Sequence, residues 1–367
     1  MSDSFASRLI RWQKVHGRHD LPWQTDDPYR VWLSEIMLQQ TQVTTVIPYY
    51  LRFVERFPDV AALAEASQDD VLALWSGLGY YSRARNLHRA AQMVMSDFGG
   101  CFPDQSAQLI QLPGIGPSTA AAVAAFSSGE RVTILDGNVK RVLARWRAIE
   151  GFPGEKRIEQ QLWALAETLV PEVNASIRSD MKAYTQGLMD LGATLCTRSR
   201  PNCSTCPLRS DCVAYQSART HELPTPRPKK AVPERYAVFV LLRHGGKVLL
   251  EKRAENGIWG GMWSLPQCEP DDLAAWLASA FGAVERDLRP LARLTHIFTH
   301  FKLHIDARML NASIPFPAAS EVFCWVTIAD ALNMGIPLPV RKLLLAAQSP
   351  LASTFADGIN GEGNDGE

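Results

Sequence analysis

Four cysteines lie within residues 196–212, spaced Cys196-x6-Cys203-x2-Cys206-x5-Cys212. Thiolates crowded in this way can wrap one inorganic centre, either a cubane iron–sulfur cluster with a sulfur at each corner or a single tetrahedral zinc ion. Zinc ligands usually come as two tight pairs. Only Cys203 and Cys206 are tightly spaced here, so the stepped pattern suits a [4Fe-4S] cluster embraced by one loop. Cys101, Cys268 and Cys324 are isolated and read as inert core residues.

Two carboxylates stand in contrasting contexts. Glu35 sits in Val31-Trp32-Leu33-Ser34-Glu35-Ile36-Met37-Leu38, an apolar helical stretch followed by Gln39, Gln40 and Gln42. On its own it reads as the solvent-facing position of an amphipathic helix, although the neutral glutamines are suited to filling the space left by an extruded base. Asp136 in Ile134-Leu135-Asp136-Gly137-Asn138 has the ordinary reading of a helix N-cap. About 20 residues before it, Leu112-Pro113-Gly114-Ile115-Gly116 runs into Pro117-Ser118-Thr119-Ala120. Two glycines let a hairpin between helices turn tightly. They expose backbone N–H groups and a helix N-terminus to a phosphate, which grips a DNA backbone without reading its sequence. The bland alternative is a plain helix–helix connection. Gly79-Tyr80-Tyr81-Ser82-Arg83-Ala84-Arg85 pairs aromatics able to wedge into a base stack with arginines able to hold phosphates, or else is a capped helix start with core tyrosines.

The elements that must position these groups fall into two halves. With 367 residues, 46% hydrophobic and 21% charged, the chain can bury two cores and is neither disordered nor collagenous. Residues 5–215 read as helices separated by short loops. The proline-rich, basic stretch 221–235 reads as a linker. Beyond it strands are expected over 236–242, 248–250, 301–306 and 322–326, with helices near 272–281 and 339–347, an α+β domain. Lys plus Arg equals Asp plus Glu at 38 each, which excludes a uniformly basic coat. Residues 196–235 nevertheless hold eight basic against three acidic residues, and the tail 351–367 carries acids only and is expected to be disordered. The apolar runs fall short of a bilayer span, the first residues do not form a secretory signal, and the cysteine usage suits a reducing cytosol.

Taken together, the hairpin, the aspartate after it and the cysteine loop resemble the helix-hairpin-helix base-excision DNA glycosylases of the endonuclease III superfamily. VWLSEIMLQQTQV and GLGYYSRARNL narrow the resemblance to its MutY-type adenine DNA glycosylases. The C-terminal half resembles that family's Nudix-like domain through Gly257-Ile258-Trp259-Gly260-Gly261-Met262-Trp263 and Phe298-Thr299-His300. Thr299 stands where the family often has Ser, and no acidic Nudix motif follows Gly261. The fold implied is multidomain: an all-α helix-hairpin-helix glycosylase core with an iron–sulfur cluster loop over 1–220, the linker 221–235, an α+β Nudix-like domain over 236–350 and the tail.

The resemblance also implies roles. Glu35 is the acid that protonates adenine and Asp136 the carboxylate that stabilises the sugar cation. Gln40 and Tyr80 fill the gap in the duplex, and Trp23, Gln24 and Gln186 line the base pocket. Gly114, Gly116, Ser118 and Asn138 contact DNA or the sugar, and Phe298, Thr299 and His300 read the partner base. Ser118 stands where related glycosylase/lyases carry a Schiff-base lysine, so a monofunctional enzyme is expected. The implied substrate is double-stranded DNA with adenine opposite 8-oxoguanine or guanine, bound by a cytoplasmic monomer with no membrane partner. Competing readings are a bifunctional glycosylase/lyase for oxidised pyrimidines, a non-enzymatic DNA-binding module and a Nudix nucleotide hydrolase.

Overall fold

Local capping starts the helices. Ser4 accepts from the Ser7 amide ahead of the helix Phe5–His16, and Asp27 accepts from the Tyr29 amide ahead of Pro28–Leu38, which has Pro at its first position. In the computed structural model, which describes residues 4–228, 231–313 and 320–348, the chain forms two compact units. The first joins residues through Ala61 to Arg89–Lys230; the second joins Ala62–His88 to residues from Ala231 onward. The expected tail 351–367 and the basic pair Lys229-Lys230 lie outside the described residues.

The first unit is helical, as expected. At its centre Pro117–Ser127 carries five alanines, and Ala120 to Ala125, with Val123 among them, is buried on every side rather than along one stripe. Its small side chains let it pack against both Pro28–Leu38 and Ile177–Asp190. The helices Gly137–Trp146 and Lys156–Glu167 complete the same core through Val139, Leu143, Ile158 and Leu162. The linker departs from its reading: Leu223 is buried, and Arg145 Nε donates to its carbonyl at 2.7 Å. A buried arginine needs carbonyl acceptors, and the linker's first residues supply one.

The second unit holds a seven-stranded mixed sheet of β1 (Glu234–His244), β2 (Lys247–Lys252), β3 (Trp263–Ser264), β4 (Gln267–Cys268), β5 (Arg289–Ile297), β6 (Lys302–Asn311) and β7 (Phe323–Thr327). The main path runs β3-β2-β1-β6-β5, with β4 on β1 and β7 on β2. Only β1 and β6 are parallel, Val238 facing Asp306. β1 is buried continuously from Ala237 to Leu242 because both faces of the central strand are covered. On one face Val238, Val240, Leu249 and Leu310 pack with Leu273 and Leu277 of the helix Leu273–Phe281. β5 went unrecognised in the sequence, since Pro290 and three charged or polar positions obscure an alternation whose buried members are Leu291, Leu294 and His296.

One further expectation is corrected. Cys101 is exposed rather than core, because it follows the Gly99-Gly100 turn at the end of the helix Ser82–Asp97; Cys268 and Cys324 are half-buried. Residues 62–88 group with the C-terminal sheet domain in one compact unit.

Phe298 also proves to be a core residue. It is 2% exposed, stacked on Phe301 at 4.5 Å and packed against Trp259 and His296. Phe298→Ala is therefore expected to destabilise the sheet domain by about 3–5 kcal/mol. Denaturant unfolding followed by tryptophan fluorescence checks it, and a loss of under about 1 kcal/mol would mean the ring is not structural.

Candidate active site

Glu35 and Asp136 reach the same cleft from different elements. Glu35 is one turn from the end of Pro28–Leu38 and shares the cleft with Gln39, Gln40, Ser118, Asp136 and Asn138. It also lines an adjoining pocket of about 400 Å³ with Trp23, Gln24, Lys182 and Gln186, within the size range of small-molecule sites. The carboxyl group of Glu35 makes no hydrogen bond to the described residues. Burial without donors, reinforced by the nearby charge of Asp136, raises its pKa to about 8.

Asp136 is treated differently by its surroundings. It is the N-cap of Gly137–Trp146, and its Oδ1 accepts from the Val139 amide at 2.8 Å. Asn138 Nδ2 lies 3.4 Å from Oδ2. A helix N-terminus by itself favours the ionised form of Asp136. The net shift is instead upward, because desolvation outweighs the Val139 and Asn138 hydrogen bonds and the charge of Arg141. Those donors still separate the two groups: Asp136 has partners that favour its anion, and Glu35 has none among the described residues.

The helix Gly137–Trp146 carries this arrangement toward the cysteines. Arg141 Nη2 donates to Asn138 Oδ1 at 2.7 Å and to the Gly192 carbonyl at 2.8 Å, and its Nε donates to the Cys196 carbonyl at 2.8 Å. Gly192 must be glycine, since an added Cβ would sit 2.5 Å from Asn138 Cβ. Arg145, 2% exposed, donates to the carbonyls of Thr197, Arg198 and Leu223 and lies 3.4 Å from Cys196 Sγ.

Cys196, Cys203, Cys206 and Cys212 line one small cavity beneath this helix. Burial, and then the charges of the other three cysteines, push the Cys206 thiol up to about 12; burial and then the charge of Cys196 raise Cys203, and burial and then the charges of Cys196 and Cys203 raise Cys212. Among the described residues no group of three or more His, Cys, Asp or Glu is closed up to hold a metal ion as it stands.

The remaining expected residues fall in distinct places. Gly114 (φ 78°) and Gly116 form the exposed hairpin turn before Pro117–Ser127. Ser118 Oγ accepts from the Leu135 amide at 3.0 Å, tying that turn to the residues leading into Asp136. Gln24 lines the pocket, but its amide is used up by the Leu21 amide and the Arg18 carbonyl. Gln186 Nε2 donates to Asp190 Oδ1 at 2.8 Å, and Arg18 Nε donates to the same oxygen at 2.7 Å. Arg18 and Asp190 were missed in the sequence, where nothing marks them; the fully buried Asp190 is what orients Gln186.

Gln40, a non-glycine residue at φ 58°, is exposed on the cleft rim. Tyr80 belongs to the second unit at φ 51° and is 8% exposed. Arg83 and Arg85 do not point free guanidiniums at solvent: Arg83 donates to the Gly79 carbonyl and Arg85 to the Gly260 carbonyl. Thr299 and His300 are exposed neighbours, Thr299 Oγ1 lying 3.4 Å from His300 Nδ1.

A helical body whose hairpin feeds an aspartate across a cleft from a desolvated glutamate, together with a mixed-sheet domain, defines a two-domain base excision repair protein. Residues 33–168 match the HhH-GPD superfamily base excision DNA repair proteins, and residues 237–346 match the NUDIX domain. The chain is 37% identical to the adenine DNA glycosylase of Buchnera aphidicola subsp. Schizaphis graminum, over 93% of this chain and 97% of that one. It is 31% identical to the human adenine DNA glycosylase, over 96% and 75%. A solved thermostable thymine-DNA glycosylase superposes on 58% of this chain and 95% of its own with a TM-score of 0.50 and 29% identity. The chain belongs to the MutY-type adenine DNA glycosylase family. It is a DNA N-glycosylase with a helix-hairpin-helix core and a C-terminal Nudix domain.

The raised pKa of Glu35 has a thermodynamic consequence. The folded protein holds this proton from an ordinary 4.5 up to about 8, whereas the unfolded chain releases it near 4.5. The stabilisation is complete below pH 4.5 and is lost as pH rises through 8. Wild type should lose on the order of a few kcal/mol relative to Glu35→Gln between about pH 5 and pH 8.5. Denaturant unfolding across that range tests it, and parallel pH profiles would show that Glu35 is not a buried acid.

Proposed function

We propose that this glycosylase removes adenine mispaired with 8-oxoguanine or guanine by hydrolysis alone, with no strand-cleaving step. The observation that carries the chemistry is the unequal pair: Glu35 without donors and with a pKa near 8, beside Asp136 held by the Val139 amide. Glu35 gives its proton to the departing adenine as the C1′–N9 bond breaks, and the electron pair leaves with the base. The Asp136 carboxylate faces the cationic sugar and stabilises it. Water adds its oxygen to C1′ and returns a proton to Glu35, so the products are adenine, an abasic sugar and the original enzyme.

Trp23 and Gln186 line the pocket that would receive the flipped base, and the family resemblance gives Gln40 and Tyr80 the space it vacates. Hydrolysis without lyase action is supported by the amines near the site. A serine hydroxyl at position 118 cannot form an imine. Lys140 is committed to Glu159 at 2.6 Å and Lys182 to Asp26 at 2.5 Å. Recognition of 8-oxoguanine is assigned to Thr299 and His300, the exposed members of their loop. Phe298 supports that loop from the core.

Duplexes with adenine opposite 8-oxoguanine, treated with and without hot alkali, should break only after alkali; breaks without alkali would establish a lyase. Glu35→Gln should slow adenine release by about 10²- to 10⁴-fold and retain duplex binding. Near wild-type turnover would remove Glu35 from the mechanism. In the same assay Thr299→Ala should cost only about 1 kcal/mol of preference for 8-oxoguanine over guanine. An unchanged preference in the Thr299→Ala/His300→Ala double variant would locate lesion reading elsewhere.

A [4Fe-4S] cluster on Cys196, Cys203, Cys206 and Cys212 fits the donor set. Four thiols share one cavity, and burial together with the charges of neighbouring cysteines raises Cys203, Cys206 and Cys212, a cost that a cationic centre relieves as it displaces their protons. When bound, such a cluster supplies iron–thiolate bonds that cross-link the loop. The chain's own part is to present the exposed Arg198, Arg200 and Arg209 to the DNA backbone. Anaerobically purified protein should contain about four irons per chain, and Cys206→Ala should lose them along with DNA affinity. Stoichiometric zinc without iron would overturn the assignment.

A further inference from the structure

The turn over residues 77–81 is strained backbone. Gly77 and Gly79 have φ of 95° and 74°, and Tyr80 follows at 51°. A tyrosine in the left-handed region persists only where its surroundings over-determine it. Part of that hold is local: Trp75 Nε1 and Arg83 Nη2 both donate to the Gly79 carbonyl, at 3.0 and 3.1 Å.

The rest comes from the C-terminal part of the same unit, on both sides of the turn. In the preceding helix Gln68–Trp75, Lys252 Nζ of β2 lies 2.9 and 3.0 Å from the two Asp69 carboxylate oxygens, and Trp263 Nε1 lies 3.3 Å from one of them. At that helix's end Ser76 Oγ donates to the Ile336 carbonyl at 2.9 Å. After the turn, Arg85 Nη1 donates to the Gly260 carbonyl at 2.7 Å. Gly260 belongs to the Gly257–Trp263 motif, and its loop is closed so tightly that an added Cβ would lie 2.1 Å from the Glu255 carbonyl oxygen.

We propose that the C-terminal sheet domain sets the conformation of the turn 77–81 through Asp69–Lys252, Ser76 and Arg85 as positioning residues, and thereby governs how readily Tyr80 enters the gap left by an extruded adenine. The proposal rests on the role given above to Tyr80. It makes the sheet domain more than a reader of the partner base, since adenine release opposite plain guanine depends on it as well. Deleting the domain would also strip residues 62–88 of their packing partner, so point variants of the full-length, cluster-loaded protein are the appropriate probes.

The test is a double-mutant cycle of Asp69→Asn, Lys252→Gln and both together. Asp70→Asn serves as control, because Asp70 is in the same first helical turn and has no ion pair with the sheet. Hydrogen exchange of amides 77–83, extrusion of 2-aminopurine opposite 8-oxoguanine and single-turnover adenine release on both duplexes are measured. Each single variant should speed exchange and slow release by about three- to tenfold on both duplexes. The double variant should be no worse than the worse single, and Asp70→Asn should stay within about twofold of wild type. Unchanged exchange in the single variants, effects that simply multiply in the double, or an equal effect of Asp70→Asn would overturn the proposal. Faster exchange with the non-additivity intact but unchanged extrusion and release would overturn the role of Tyr80, leaving the domain's hold on the turn standing.

Discussion

A carboxyl group removed from water and given no hydrogen-bond donor keeps its proton, and the chemistry proposed for the first unit depends on that one fact. Glu35 is in this condition and Asp136, across the same cleft, is not. The difference does not come from the depth of either residue, since both are desolvated enough to shift upward. It comes from what the backbone offers. Glu35 lies near the end of a helix whose amides are already spent on helical bonds, whereas Asp136 precedes a helix whose first amides are unspent. An acid and a stabilising base thus arise from two side chains of nearly the same chemistry.

The helix Gly137–Trp146 then links two regions that the chain separates by some 60 residues. Its cap is Asp136, its second residue Asn138 bonds Arg141, and Arg141 and Arg145 grip carbonyls from Gly192 to Arg198. Cysteine-loop order and the placement of Asp136 are consequently parts of one hydrogen-bonded network. Five donors in a rigid fork suit an arginine to this bracing, where a lysine would have to choose among the carbonyls.

The second unit solves a different problem. A sheet with β1 at its centre buries both faces, so its loops are free to specialise: Phe298 is sunk into the core while Thr299 and His300 stay exposed on the same loop. The sheet's other edge receives residues 62–88, which bring a strained turn under the control of Lys252, Gly260 and Ile336.

Much of this was legible in the sequence because it is local. Spacing of the cysteines, the glycines of the hairpin, the capping position of Asp136 and the long apolar run of β1 each depend on neighbours a few residues away, and local sterics and periodicity reveal such features. β5 escaped because its partner β6 supplies the burial that its own residues only faintly signal. Arg18 and Asp190 are 172 residues apart and become a pair only when the helices pack. The same holds for the fate of Arg85, the burial of Leu223 and the direction of the Asp136 shift. Each is decided by desolvation and by long-range partners, and those exist only once the chain has folded.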